Sequence, residues 1–264
     1  MVRSLLINVP TVWLGVGIVV VTVGLSLVGL IVVRHQVPLK TLKDNQDVAG
    51  FVIAVVGVIY AVLLAFVVVI VWEDFGSADT TASHEAAAVG DLYRDAVGVG
   101  GTQGLRLETA VRTYATSVED SEWPYMAVHQ SEDPDTEYAL NVVWKNVNHL
   151  SEPANATAAD FVQAAIRDAS TATEERRSRI LESSSQIPGT LWAVLIVGAI
   201  VTIAFTYLFG VDTLWHHALM VAALATLIAL SLLVILTLNL PYTGDVAVKP
   251  EAMHIEIRAF QHMS

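Results

Sequence analysis

Cysteine is absent from the 264-residue chain. That excludes disulfide frameworks, thiolate zinc sites, iron–sulfur clusters and cysteine nucleophiles, and it is neutral about compartment. Charge is scarce as well, at 15% of residues, against about 25% in soluble domains. Basic residues are fewest relative to acid in the middle of the chain. Residues 73–189 hold 20 Asp/Glu against 8 Lys/Arg and account for the whole formal net charge of −12. Such an acidic surface repels phosphate backbones, so nucleic acid is not an expected partner.

Catalytic motifs are missing too. No Gly-x-Ser-x-Gly, phosphate-binding loop, dinucleotide fingerprint or His-Glu-x-x-His occurs. Asp133, Asp135 and Glu137 imitate the start of a calcium loop. Tyr138 stands where that loop needs glycine, however, and Trp144 where it needs glutamate. A looser cation site around Glu119, Asp120, Glu122, Glu132 and Asp133 competes with a solvated acidic loop, which is the favoured reading. Asp212, His216 and His217 sit together, but adjacent histidines on a helix point apart and suit one metal poorly. A polar loop at headgroup level is expected there, and His84-Glu85 fails by the same adjacency. The chain is therefore expected to be no enzyme and to hold no metal or cofactor. Asn155-Ala-Thr157 fits a glycosylation sequon, a match common by chance.

What the chain does have is four long apolar blocks, within a composition that is 54% hydrophobic. They run over residues 10–33, 48–72, 190–210 and 218–240, and none contains Asp, Glu, Lys, Arg or His. Each is long enough for a helix to cross the hydrocarbon core, which takes about 20 residues. The first is too long for a signal-peptide core, and Arg34-His35-Gln36 offers no cleavage site, so a retained anchor is expected. Trp13, Trp72, Trp192, Trp215 and Tyr242 near the block ends suit an interfacial aromatic belt. Ion-coupled transporters, proton relays and voltage sensors keep ionisable groups inside the bilayer. Charge-free spans argue against all three and leave a pore gated by apolar side chains, or a simple anchor.

The second block carries Gly50, Ala54, Gly57, Ala61 and Ala65 at spacings of three or four, which puts small residues on one helix face. In lipid, small residues let helix backbones approach. Ordinary helix packing is one reading. The other is a face lining a narrow pore in an oligomer, with Phe51, Ile53 or Val58 as constrictions.

The acidic region reads as helical, since strand signals are absent from it. Ala78, Ala82, Glu85, Val89, Leu92 and Ala96 keep helical spacing, so the second block is expected to continue through Gly76 as one long helix. The glycine-rich run 98–104 breaks it. Leu107, Val111, Tyr114 and Val118 mark a further helix, and Pro134 opens another carrying Leu140, Trp144, Val147 and Leu150. Thr157 caps a last one, on whose surface Glu175 and Arg179 form an i,i+4 pair. The expected fold class is all-α: an integral membrane protein with four transmembrane helices as two hairpins and an acidic helical bundle stacked on them. The divisions are 1–72, 73–189, 190–240 and a tail over 241–264. Lys/Arg near the membrane favour a cytoplasmic acidic region and termini, with Arg34, Lys40 and Lys43 facing Arg3, Arg176, Arg177, Arg179, Lys249 and Arg258.

The stretches Asn45-Gln-Asp-Val-Ala-Gly-Phe51, Val56-Gly-Val-Ile-Tyr-Ala-Val-Leu-Leu-Ala-Phe66, Val71-Trp-Glu-Asp-Phe75 and His84-Glu-Ala-Ala-Ala-Val-Gly-Asp-Leu-Tyr-Arg94 together resemble the signature of a bacterial membrane family. That family is labelled bestrophin-like and its function is uncharacterised. The detailed likeness covers residues 45–94, and the hairpin–insertion–hairpin layout covers the chain. The resemblance implies a homo-oligomeric anion channel in the bacterial plasma membrane, with its pore lined by the second helix of each subunit. Gly50, Phe51, Ala54, Gly57, Val58 and Ala61 are then the candidate lining, and Lys40, Lys43, Asp47, Glu73 and Asp74 the candidate pore mouth. Lysines there suit a small inorganic anion and carboxylates a cation. No bestrophin selectivity or calcium-clasp motif is matched, which leaves selectivity open. Two alternatives stand beside the channel. One is a non-conducting membrane protein whose acidic region senses a signal or binds a protein partner. The other is a lipid-handling protein with Tyr60, Thr206 or Tyr207 converging on a cavity.

Overall fold

The computed structural model of the chain describes residues 6–150 and 156–263, with backbone alone for Asn45, Ala156 and Thr157. Arg3, the sequon at Asn155 and the expected capping side chain of Thr157 lie outside the described residues. Among the described residues every regular element is helical: α1 (Thr11–Gln36), α2 (Leu39–Val99), α3 (Gly101–Ser117), a π-helical turn (Val118–Glu122), α4 (Trp123–His129), α5 (Pro134–Asn148), α6 (Ala156–Ser184), α7 (Gly189–Thr206), α8 (Leu214–Leu238) and α9 (Glu251–Phe260). Four of them, α1, α2, α7 and α8, are long and apolar enough to cross a membrane.

The punctuation has local causes. Val37 is extended because a residue before proline is driven out of the helical region, so α1 stops before Pro38. Arg34 and His35 in its last turn face the negative end of the helix dipole. As expected, α2 runs on through Gly76 as one helix. It ends where Gly100 takes φ 65° and ψ −172°, a conformation open in practice to glycine alone. Pro134 opens α5, and the Asp133 side chain caps it by accepting a hydrogen bond from Thr136 N at 3.1 Å.

The chain forms two compact units. The first comprises Met1–Glu73 and Gln186–Asn239, the second Asp74–Ser185 and Leu240–Ser264. In the first unit α1 packs along α8, and α7 joins both. Its core holds Leu30, Tyr60, Ala199, Ile203, Val221, Ala225 and Ile228. The Tyr60 ring packs against α7 at Gly198, where an added Cβ would come within 2.5 Å of it. Small residues at such crossings are how spans gain dispersion contacts in lipid.

The second unit has its own core, which includes Leu92, Leu107, Tyr114, Met126, Val143 and Ala169. α3 packs against α5, and α9 lies on α3. Four features differ from the sequence reading. The residues after 240, expected as a separate tail, supply Tyr242, Val248, Met253 and Phe260 to this core, with Phe260 stacked on Tyr93 at 4.0 Å between centroids. Tyr242, expected in the aromatic belt, is buried and donates to Ala78 O at 3.0 Å. The π-helical turn and α4, which carries Pro124 in its first turn, had no counterpart in the reading. The fourth apolar helix also starts four residues earlier than its charge-free block, so its first turn includes His216 and His217.

Candidate functional site

The first unit carries the candidate pore-lining residues, all on α2. Phe51, Ala54, Val58 and Ala61 are exposed in the single chain, with Phe51 at 74%, while Gly50 and Gly57 are half-buried. A Cβ at Gly57 would meet nothing within 4 Å, so nothing inside this chain requires glycine there. Exposed Val48, Val55 and Val62 extend the same side of the helix. Tyr60 packs against α7 and donates from its hydroxyl to Leu195 O at 3.1 Å.

The candidate mouth residues separate into two kinds. Lys43 forms an ion pair with Asp212, and Arg34 donates to Val211 O at 2.6 Å, so the loop before α8 is tied to the start of α2 and the end of α1. Lys40, Asp47, Glu73 and Asp74 are exposed. Of the other polar loop residues, His217 is buried with Nε2 against Thr206 O at 2.9 Å. A carbonyl can only accept, so Nε2 carries the hydrogen. This holds the imidazole within the first unit.

A groove of about 460 Å³ lies between α2 and α7, lined by Val56, Ile59, Tyr60, Leu63, Val197 and Thr202 among others. Thr206 and Tyr207 are not among its lining residues. Thr206 donates to Ile203 O instead, and Tyr207 abuts Gly29. The three polar groups named for a lipid-handling cavity therefore do not converge.

The second unit holds a buried ionic cluster. Arg179 is fully buried and bridges two carboxylates: Nε to Glu85 Oε2 at 2.5 Å, Nη2 to Glu85 Oε1 at 3.1 Å, and Nη2 to Glu122 Oε2 at 2.6 Å. Its guanidinium lies 4.7 Å from the Trp123 ring centroid, a cation–π contact. Arg176 donates to Glu122 from Nε at 3.1 Å and Nη2 at 2.6 Å, and reaches Glu137 with Nη1. Tyr114 donates to Glu85 Oε1 at 2.7 Å. Six segments meet here: α2, α3, the π-helical turn, α4, α5 and α6. The extra residue of a π turn re-aims the side chains around it, a feature common at functional sites. Here it delivers Glu122 inward.

Electrostatics fit this pairing. Burial alone would raise the Glu122 carboxyl, but the guanidiniums of Arg179 and Arg176 outweigh it and hold the group below its usual range. Burial would release the Arg179 proton, yet Glu85 and Glu122 hold it more firmly than in water. Tyr114 is pushed up by burial and then by the Glu85 charge, so it stays a neutral donor. The two buried guanidiniums are matched by the two buried carboxylates, with Glu137 joining from the more exposed rim. The cluster is suited to fixing six segments in register.

The structure corrects the reading of Arg179 as a surface partner of Glu175. Glu175 instead lies 3.9 Å from His84. Two of the arginines counted for membrane orientation, Arg176 and Arg179, are consumed by internal pairs. The five acids of the loose cation site also part ways. Glu122 takes the arginines, Asp133 caps α5, and Glu119 pairs with His254 at 2.8 Å. Among the described residues no group of three or more metal-ligating side chains comes together.

A signal for the cluster was present in the sequence. Ala165, Ala169 and Ala172 mark the buried face of α6, and continuing their spacing lands on Arg176, Arg179 and Ser183, all buried. Glu85 likewise sits within the apolar stripe of α2. Comparison with protein families matches residues 20–253 to the bestrophin-like domain. No match was found among curated proteins.

Proposed function

The chain belongs to the bestrophin-like domain family, and from that premise we propose that it is a homo-oligomeric ion channel of the bacterial plasma membrane. The four spans act as two hairpins, and the second span of each subunit lines the pore through Gly50, Phe51, Ala54, Gly57, Val58 and Ala61. One observation carries this reading: Phe51, Ala54, Val58 and Ala61 on α2 are uncovered in the single chain, and the half-buried Gly57 has open space in front of its Cα. A face turned only to lipid has no need of glycine, since lipid fills around any side chain. A glycine or alanine face matters where something rigid approaches or where a narrow passage must stay open.

Small inorganic anions are the proposed permeant species. Lys40 is exposed at the start of α2 and can offer positive charge at the mouth, whereas Lys43 is neutralised by Asp212. Asp47, Glu73 and Asp74 would oppose anions at the same helix, so ion identity is read directly from reversal potentials. The protein performs no covalent chemistry in this proposal. The acidic unit and both termini lie in the cytoplasm, in line with the Lys/Arg distribution.

Purified protein in planar bilayers is expected to conduct, and Gly57→Leu to lower unitary conductance by placing a branched side chain into the pore. Silence across a range of pH, calcium and voltage, with the protein shown to be folded, would sink the channel reading. A second reading is favoured by a groove of about 590 Å³ between α3 and α5, rimmed by exposed Leu105 and Tyr138. In that reading the acidic unit docks a protein partner and nothing is conducted. Crosslinking in native membranes from a photo-reactive residue at position 138 should then recover a second protein. Self-contacts alone would remove this alternative.

A further inference from the structure

Asp95, near the end of α2, is 8% exposed, and its Oδ2 has no hydrogen-bond partner. A buried carboxylate oxygen without a donor is costly unless a proton or a cation supplies what is missing. The group facing it is another carboxyl, Asp168 of α6. Asp168 is itself largely covered, and among the described residues it pairs with its chain neighbour Arg167, with Nε to Oδ1 at 3.2 Å. Asp91, one turn earlier on α2, is taken by Arg94 at 2.5 Å, and Arg94 also holds Glu256 of α9 at 3.2 Å. The arginine nearest in sequence to Asp95 is therefore committed elsewhere. Ala96, Ala165 and Ala169 are fully buried on the same two helices, and the Phe161 ring of α6 packs against Gly98 of α2, where an added Cβ would come within 2.5 Å of it.

We propose that Asp95 and Asp168 share one proton and form a pH-operated latch between α2 and α6. With the proton in place, the O–H of one carboxyl donates to an oxygen of the other, and the pair carries a single negative charge. When the proton leaves, two carboxylates face each other in a poorly solvated seam and the helices are pushed apart. Burial first, then the hydrogen bond and charge of Asp168, with a further push from Asp91, raise the Asp95 carboxyl to about 7 against the lowering pull of Arg167. A carboxyl raised in the folded state stabilises it fully below the unfolded carboxylate range. That contribution is lost as pH rises through about 7. The latch is thus closed in mild acid and open in mild alkali. It does not depend on whether the protein conducts.

The test uses the full chain in lipid nanodiscs. Infrared difference spectra of the wild type between pH 6 and pH 8.5 should show a protonated carboxylic-acid band at the lower pH that is absent at the higher one. Its absence throughout overturns the proposal without any variant. Melting temperature should be a few degrees higher at pH 6 than at pH 8. Asp95→Asn, which keeps a donor in the seam at every pH, should abolish the acid band and flatten that difference, as should Asp168→Asn. Persistence of band and pH dependence in both variants would refute the latch. So would calcium or magnesium raising the melting temperature of the wild type at pH 8 but not that of Asp95→Asn, since a cation would then occupy the place assigned to the proton.

Discussion

With its guanidinium enclosed by Glu85, Glu122 and the ring of Trp123, Arg179 depends on three other segments for its solvation. Removing one member of a buried ion cluster leaves the rest charged and unpaired, which costs about 3–5 kcal/mol. Arg179→Met keeps much of the side-chain length and removes the charge, so it should destabilise the second unit by that amount in denaturant titrations followed by tryptophan fluorescence. The acid response of Glu122 has a definite sign. Its folded pKa lies below the unfolded one, so its contribution is full above the unfolded value and is lost as pH falls through the folded one. Glu122→Gln should therefore be less stable than wild type at pH 7 and lose less on further acidification. Equal slopes for the two proteins below pH 5 would contradict this assignment.

At the scale of elements, α2 is the longest piece of structure, and where it stops is decided by glycine. Gly100 holds a backbone conformation that a side chain strains, so Gly100→Ala should cost about 1–3 kcal/mol. Gly104, one turn into α3, is needed for a different reason: an added Cβ would lie 2.5 Å from Ala96 O, which is backbone and cannot swing away. Gly104→Ala should therefore separate the end of α2 from α3 and lower the melting temperature of the second unit. Gly57 contrasts with both, since nothing in the chain opposes a side chain there. Gly57→Ala should leave the thermal stability of the detergent-solubilised monomer within about 1 kcal/mol of wild type, an exposed helix substitution from glycine being mildly favourable. A large stability loss in the monomer would mean that Gly57 serves packing within the subunit.

For the whole molecule, the absence of cysteine provides a clean topology experiment, because any introduced thiol is the only one present. Lys40→Cys and Glu132→Cys both place the thiol at an exposed position. In intact cells an impermeant maleimide should label position 40, whereas position 132 should react only after the membrane is opened. The reverse pattern would place the acidic unit outside. This measurement carries more weight than the arginine count, two of whose members are neutralised inside the second unit.

The sequence by itself determined the helical class and the four apolar spans, because length and hydropathy are properties of a segment and need no partner to be read. It also determined the long second helix, through its apolar spacing, and the glycine break after it and the start of α5 at Pro134, through the φ/ψ preferences of single residues. The detailed likeness over residues 45–94 marked the family, to which residues 20–253 belong. What only the tertiary structure decided is where charge goes. Arg179 and Glu175 satisfy the surface spacing rule on one helix, yet Glu85 and Glu122, 94 and 57 residues away, claim the arginine. Tyr242 looked interfacial from its position beside a span, and burial against Ala78 placed it in a core. The proton assigned to Asp95 belongs to the same class. Its carboxyl is ordinary in sequence and becomes unusual only when folding buries it and brings Asp168 close.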